Sequence, residues 1–278
     1  MQVTVFGTGN VGSALLFPLS YNDAIDRVCV SSRKEETATA AIMDVASANP
    51  EGASKMVYQS DGDVANSDVI VITSGVMQKG KNADEVHKAN LEINRSAFQF
   101  HPLKSNCVVI CIATPVDDIT VQIQKESGLP KKQVFGFGGD LDTNRLRYVL
   151  KSRGIYHEDA HAVGEHGPNA VALYPSEQNY EEVTKELRAF WGKIANNVDV
   201  VRNLATGDLL GKLVHSVVHD SLNVHNVCAY HPEHDVYITW PFAIGKYGVE
   251  EPLEISLPPK CAPALMQLVH KRKEKHPI

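Results

Sequence analysis

Through the first half of the chain, short runs of consecutive apolar residues alternate with stretches whose apolar positions recur every three or four residues. The runs at 2–6, 27–31, 69–73, 108–113 and 134–136 read as strands. Between them, 11–19, 34–46, 84–100 and 118–125 carry the helical period. Strand and helix in strict alternation is the mark of crossover helices joining parallel strands, which predicts a doubly wound α/β sheet. Beyond about residue 141 the pattern loosens. It predicts helix at 143–152, strand at 161–163, helices at 180–196 and 208–224, strands at 227–230 and 236–240, and a last helix at 262–275. The expectation is two domains, 1–141 built on the parallel sheet and 142–278 of α+β type.

Composition narrows the class. With 278 residues, 43% of them hydrophobic, the chain can bury a sizeable core. A net charge of -6 and the lack of a basic block remove the electrostatic case for nucleic acid. No apolar stretch reaches the roughly 18 residues of a membrane span, and the first residues already look like a strand rather than a leader. Five scattered cysteines without a C-x-x-C pair read as reduced core thiols, so a soluble, cytoplasmic protein is expected. The cations Lys271, Arg272, Lys273 and Lys275 fall at the end of the last helix, where the helix dipole alone favours them.

Gly7-Thr8-Gly9-Asn10-Val11-Gly12 follows the first strand and opens the first helix, the context in which G-x-G-x-x-G signals a Rossmann dinucleotide site. Gly7 suits the tight turn, Gly9 the close approach of a pyrophosphate, and Gly12 the packing of helix on strand. About 20 residues past these glycines an acid would accept from the adenosine ribose hydroxyls. Here Ser32 and Arg33 stand in its place. A hydroxyl and a guanidinium can bond a 2'-phosphate that a carboxylate would repel, so NADP is favoured and NAD remains the alternative. The blander reading makes Arg33 and Lys34 solvated charges at a helix start.

Two later segments carry candidate chemistry. In Leu141-Asp142-Thr143-Asn144-Arg145, Asp142 and Arg145 share one helical face. Gly164-Glu165-His166-Gly167 holds a histidine in a loop directly after a strand, although a lone histidine is more often structural. Hydride transfer at an alcohol carbon needs a proton carrier at the oxygen, and imidazole titrates in the right range. His166 suits that work, Asp142 would fix its tautomer, and Arg145 would clamp a substrate carboxylate.

In these motifs, with Thr73-Ser74-Gly75-Val76, Asn90 and Thr114-Pro115-Val116-Asp117, the chain resembles the lactate and malate dehydrogenase family over nearly its whole length. The resemblance implies an N-terminal Rossmann domain, a C-terminal substrate domain, an L-2-hydroxy acid as substrate, and a homodimer or homotetramer. It assigns His166, Asp142 and Arg145 the roles given above. Thr73, Ser74, Gly75, Asn90, Ala113 and Thr114 would complete the cofactor groove, with Thr114 also near the substrate oxygen. Gln78 matches the residue that selects the substrate side group, and glutamine there is lactate-like. Asp208 falls near a position that approaches the substrate side chain, though an acid in the first turn of a helix is explained by the dipole alone.

The chain also departs from that pattern. Ala83 stands where an arginine would polarise the carbonyl, with Lys79 and Lys81 as candidate replacements, and Thr114 replaces an asparagine. A rebuilt loop of this kind points to a specialised 2-oxo acid larger than pyruvate. Malate dehydrogenase, or a weakly active dinucleotide-binding sensor, are the alternatives. No metal is expected: His157-Glu158-Asp159-Ala160-His161 matches H-E-x-x-H, but it runs into a strand instead of lying on a helix.

Overall fold

The computed structural model describes residues 1–59, 64–76, 82–96, 103–155, 157–197 and 203–277. Strands β1 (Gln2–Phe6), β2 (Arg27–Ser31), β3 (Met56–Tyr58), β4 (Val69–Ile72), β5 (Val108–Cys111) and β6 (Val134–Phe137) run parallel, in the order β3-β2-β1-β4-β5-β6. Every residue of β4, β5 and β6 is buried. Continuous apolar strands are what a parallel sheet covered by helices on both faces requires. Among the crossover helices are α1 (Asn10–Ser20), α2 (Glu35–Ala48), α4 (Ala83–Ser96) and α5 (Val116–Ser127), and a single turn, α3 (Pro50–Ala53), leads into β3. The continuation of α4 expected to residue 100 lies outside the described residues.

The sheet runs on past residue 141. After α6 (Gly139–Ser152), β9 (Asn223–His231) joins β6 antiparallel, pairing Gly136 with Cys228 and Phe137 with Val227. Strands β10 (Val236–Gly245) and β11 (Gly248–Pro252) extend it to nine strands among the described residues. A separate hairpin pairs β7 (His161–Val163) with β8 (Val171–Leu173), and its connection carries His166. One antiparallel bridge, Gly164 to Thr239, ties that hairpin to β10. Helices α7 (Tyr180–Ala195), α8 (Leu204–Val218) and α9 (Ala262–Lys275) complete the chain.

The structure corrects several expected elements. The helix expected at 208–224 is α8, which starts at Leu204 and stops at Val218. Asp220 and Leu222 have φ of 52° and 55°, a left-handed backbone that ends a helix, and residues from 223 onward are drawn into the ladder with β10. Strands β3 and β8 have three residues each, too few for a period to show, while β11 contains a glycine and a proline. Nor is the cationic end of α9 simply a solvated terminus. Arg272 is 1% exposed and donates to Asp118 of α5.

All five cysteines are buried. Burial pushes Cys107 and Cys111 up to about 12, so these thiols resist ionisation. Among the described residues, no helix is long and apolar enough to cross a membrane.

Candidate active site

β1 ends at Phe6, and Gly7 turns the chain with φ of +99°. A Cβ on Gly7 would come within 2.9 Å of the Ser74 backbone, and one on Gly12 would collide with the Gly7 carbonyl oxygen. Around Gly9, by contrast, nothing among the described residues lies within 4 Å of where a Cβ would be. Gly9 caps α1 without a side-chain hydrogen bond, the first turn holds no acid, and Asn10 beside it is exposed. Val11, half-buried, anchors the same turn on the core. A helix N-terminus with open backbone in front of it and no acid in its first turn fits a pyrophosphate.

The walls of this cradle are braced by side chains whose hydrogen bonds go to backbone. Thr73 Oγ1 donates to the carbonyls of Phe6 and Gly7, both at 2.8 Å. Asn90, 1% exposed, accepts from Val76 N at 2.6 Å and donates to Val76 O and Thr114 O, at 3.1 and 2.7 Å. Its amide is thereby spent on holding two loops together, and it shapes the groove from behind. Gly75 lies against Asn90 and Ala113, where a Cβ would sit 3.0 and 3.4 Å from their side chains. Thr114 is exposed next to them. At the end of β2, Thr8 Oγ1 donates to Ser32 Oγ at 3.1 Å, and Arg33 is exposed. Thr8 has no part in the glycine signature, and only its position between two glycines facing β2 could have singled it out.

The chemical groups converge from three elements. Asp142, in the first turn of α6, accepts from Arg145 Nη1 on Oδ1 at 2.8 Å. Its Oδ2 meets His166 Nδ1 at 2.7 Å and accepts Gly167 N at 2.8 Å. The imidazole and the guanidinium thus share one carboxylate. His166 N donates to Asp117 Oδ2 at 3.1 Å, and Thr239 Oγ1 donates to the other Asp117 oxygen at 3.2 Å. Asp117 matched a family motif without a role attached; the fold makes it the second anchor of the histidine loop. The ring packs on Gly138, where a Cβ would come within 2.5 Å of His166 Cγ. Arg145 also lies 5.5 Å from the Trp191 ring, a cation–π contact from α7.

Electrostatics follow from this geometry. Burial disfavours the imidazolium, but the Asp142 charge and hydrogen bond, helped by Asp117, outweigh it and raise the His166 pKa above its ordinary 6.5. Burial would likewise raise Asp142, yet His166, Arg145 and the Gly167 N–H hold it below its usual 3.8. With Nδ1 committed to Asp142, Nε2 is the nitrogen left for a substrate oxygen.

The remaining expected site residues are not gathered into this cluster. Gln78, with Lys79 and Lys81, lies outside the described residues, and Ala83 opens α4. Asp208 lies beyond the first turn of α8, so the dipole reading fails; it forms an exposed ion pair with Lys212 at 2.7 Å. Of the H-E-x-x-H pair, His157 bonds Ser176 and His161, on β7, bonds Asn226, at 2.9 and 3.0 Å.

A family profile described as lactate/malate dehydrogenase, NAD binding domain, matches residues 1–136. A malate dehydrogenase of Bacteroides thetaiotaomicron is 28% identical, the alignment covering 92% of this chain and 90% of the relative. An L-lactate dehydrogenase of Acetivibrio thermocellus is 27% identical over 91% of this chain and 89% of the relative. The crystal structure of a Cryptosporidium parvum lactate dehydrogenase, complexed with lactic acid and nicotinamide adenine dinucleotide, superimposes with a TM-score of 0.84 at 24% identity. It covers 98% of this chain and 96% of its own. The N-terminal domain thus matches the NAD-binding domain of the lactate/malate dehydrogenase family, relatives of both kinds align along nearly the whole chain, and the fold is that of a lactate dehydrogenase.

Proposed function

We propose that the protein is an NAD(P)-dependent L-2-hydroxy acid dehydrogenase in which residues 1–141 hold the dinucleotide and 142–278 supply the catalytic groups. The observation that carries this reading is the single carboxylate of Asp142 holding both His166 and Arg145. The bound nicotinamide would supply or accept the hydride at C2 of the substrate. During reduction, protonated His166 gives its Nε2 proton to the carbonyl oxygen as that oxygen gains the electron pair of the C–O π bond; in oxidation it takes the proton back. Asp142 keeps the proton-carrying ring upright and stabilises its charge. Arg145 orients the substrate carboxylate through its planar fork.

The finer assignments rest on particular residues. NADP is preferred because Ser32, already engaged by Thr8, and the exposed Arg33 stand where an acid would select NAD. A 2-oxo acid larger than pyruvate suits Gln78 and Ala83 in the substrate loop. Relatives named malate dehydrogenase favour a dicarboxylate as the competing reading, and Gln78 opposes it. The assembly is a homodimer or homotetramer, and buried, un-ionised thiols suit a reducing cytoplasm.

The test is reduced-cofactor absorbance with NADPH or NADH against a panel of 2-oxo acids including pyruvate, longer analogues and oxaloacetate. Turnover supports a dehydrogenase and its best substrate chooses among the readings, whereas dinucleotide binding without turnover overturns the enzymatic one. Arg33→Ala is expected to raise the NADPH constant roughly ten-fold with little change for NADH, the loss of one charge-assisted phosphate contact. An unchanged NADPH constant would refute the NADP preference.

A further inference from the structure

We propose that Arg272, near the C-terminus, is a positioning residue that holds the His166 turn and the start of α5 together from behind the reactive ring. This rests on the reading of His166 as the proton carrier. An arginine 1% exposed in the last turn of the final helix is unusual, because a buried guanidinium is costly unless fully paired. Here its pairing is extensive. Nη1 donates to Asp118 Oδ1 at 2.6 Å, Nη2 to the Asp117 carbonyl at 3.0 Å and Nε to the Tyr237 carbonyl at 3.4 Å. Nη1 also lies 3.5 Å from Glu165 Oε1, the residue before His166.

A second contact from α9 reaches the same turn. Gly164 has φ of +98°, and a Cβ there would come within 2.8 Å of Leu268 Cδ2, one helical turn before Arg272. Lys275 Nζ and His276 Nε2 close on the Asp118 carboxylate at 2.6 and 2.7 Å, fastening the end of the helix to α5. Asp117, whose carbonyl Arg272 holds, uses its side chain to hold His166 N. Arg272 therefore reaches both segments that set the ring's position.

Charge gives the proposal a readout that simple packing would not move. Among the described residues, the ionisable groups around His166 are Asp142 and Arg145 from α6, Asp117 from α5, Glu165 in its own turn and, behind these, Arg272 with Asp118, Lys275 and His276. Strand β10 contributes the neutral Thr239. Asp117 raises the His166 pKa, while Arg272 interacts with Asp117, Asp118 and Glu165. Without the guanidinium, the carboxylates act on His166 undiluted.

The experiment uses the full chain with Arg272→Met and Arg272→Lys, following His166 by NMR titration and kcat with the best substrate of the wild type. Arg272→Met is expected to raise the His166 midpoint by roughly half a unit or more. Arg272→Lys keeps the charge but not the fork, and should leave the midpoint in place while kcat falls about ten-fold at an unchanged cofactor KM. Should Arg272→Met fail to fold, Arg272→Lys decides alone, since wild-type kcat with only a lowered Tm would overturn the proposal. Wild-type titration and turnover in both variants would overturn it as well. The titration needs no turnover, so an inactive wild type would sink the dehydrogenase reading and leave this one standing or falling on the NMR shifts.

Discussion

Replacing His166 with asparagine is expected to lower kcat roughly a thousand-fold while leaving the dinucleotide constant within a factor of two. The size follows from what a positioned proton carrier contributes, roughly 10²–10⁴ in rate. Asparagine keeps a hydrogen-bonding tip of similar reach, so the loss reports proton transfer rather than a hole in the structure. Steady-state kinetics and dinucleotide fluorescence titration separate the two quantities. The pH dependence carries a sign. Reduction needs the imidazolium, so its rate is flat at low pH and falls as pH rises through the His166 pKa, which lies above 6.5. Oxidation needs the neutral ring and rises across the same window. Asp142→Asn removes the largest force raising that pKa, so both limbs should move to lower pH as kcat falls.

Loss of Arg145 should lower kcat/KM for the 2-oxo acid roughly a hundred- to a thousand-fold, again with the cofactor constant preserved. Truncating one partner of a buried charged pair commonly costs about 2–5 kcal/mol, and a hundred- to a thousand-fold loss, about 3–4 kcal/mol, lies in the middle of that span. Arg145 is mostly buried, with 14% of its side chain exposed, and it shares Asp142 with His166. Arg145→Lys restores the charge without the fork, and recovery should be partial. Full recovery would mean that the guanidinium geometry is not used. A loss confined to kcat, with KM unchanged, would place Arg145 in support of Asp142 and not on the substrate.

The parallel half of the fold, three-residue β3 apart, was legible because its strands are mostly apolar and its longer crossover helices show their period. Legibility failed where an element is short or where the chain leaves one ladder for another. Three-residue strands such as Val171–Leu173 carry no periodicity of their own. Residues 219–224 look helical by composition, but left-handed Asp220 and Leu222 end α8 and release the chain into β9. At the site, His166, Asp142 and Arg145 could be read from glycines, spacing and chemistry. Their anchors could not. Asp117 and Arg272 reach the histidine turn from elements 49 and 106 residues away in sequence, and local spacing holds no information about such contacts. Asn90 shows the converse: the sequence signalled its importance, but only the hydrogen bonds reveal that it braces two loops.

The most direct test is a crystal structure of the protein with reduced dinucleotide and oxamate, an inert mimic of a small 2-oxo acid. The account predicts the pyrophosphate at Gly9, the oxamate carboxylate on the Arg145 fork, and its carbonyl oxygen roughly 3 Å from His166 Nε2. Oxamate bound away from His166 and Arg145, or a dinucleotide that leaves the glycine turn empty, would contradict it.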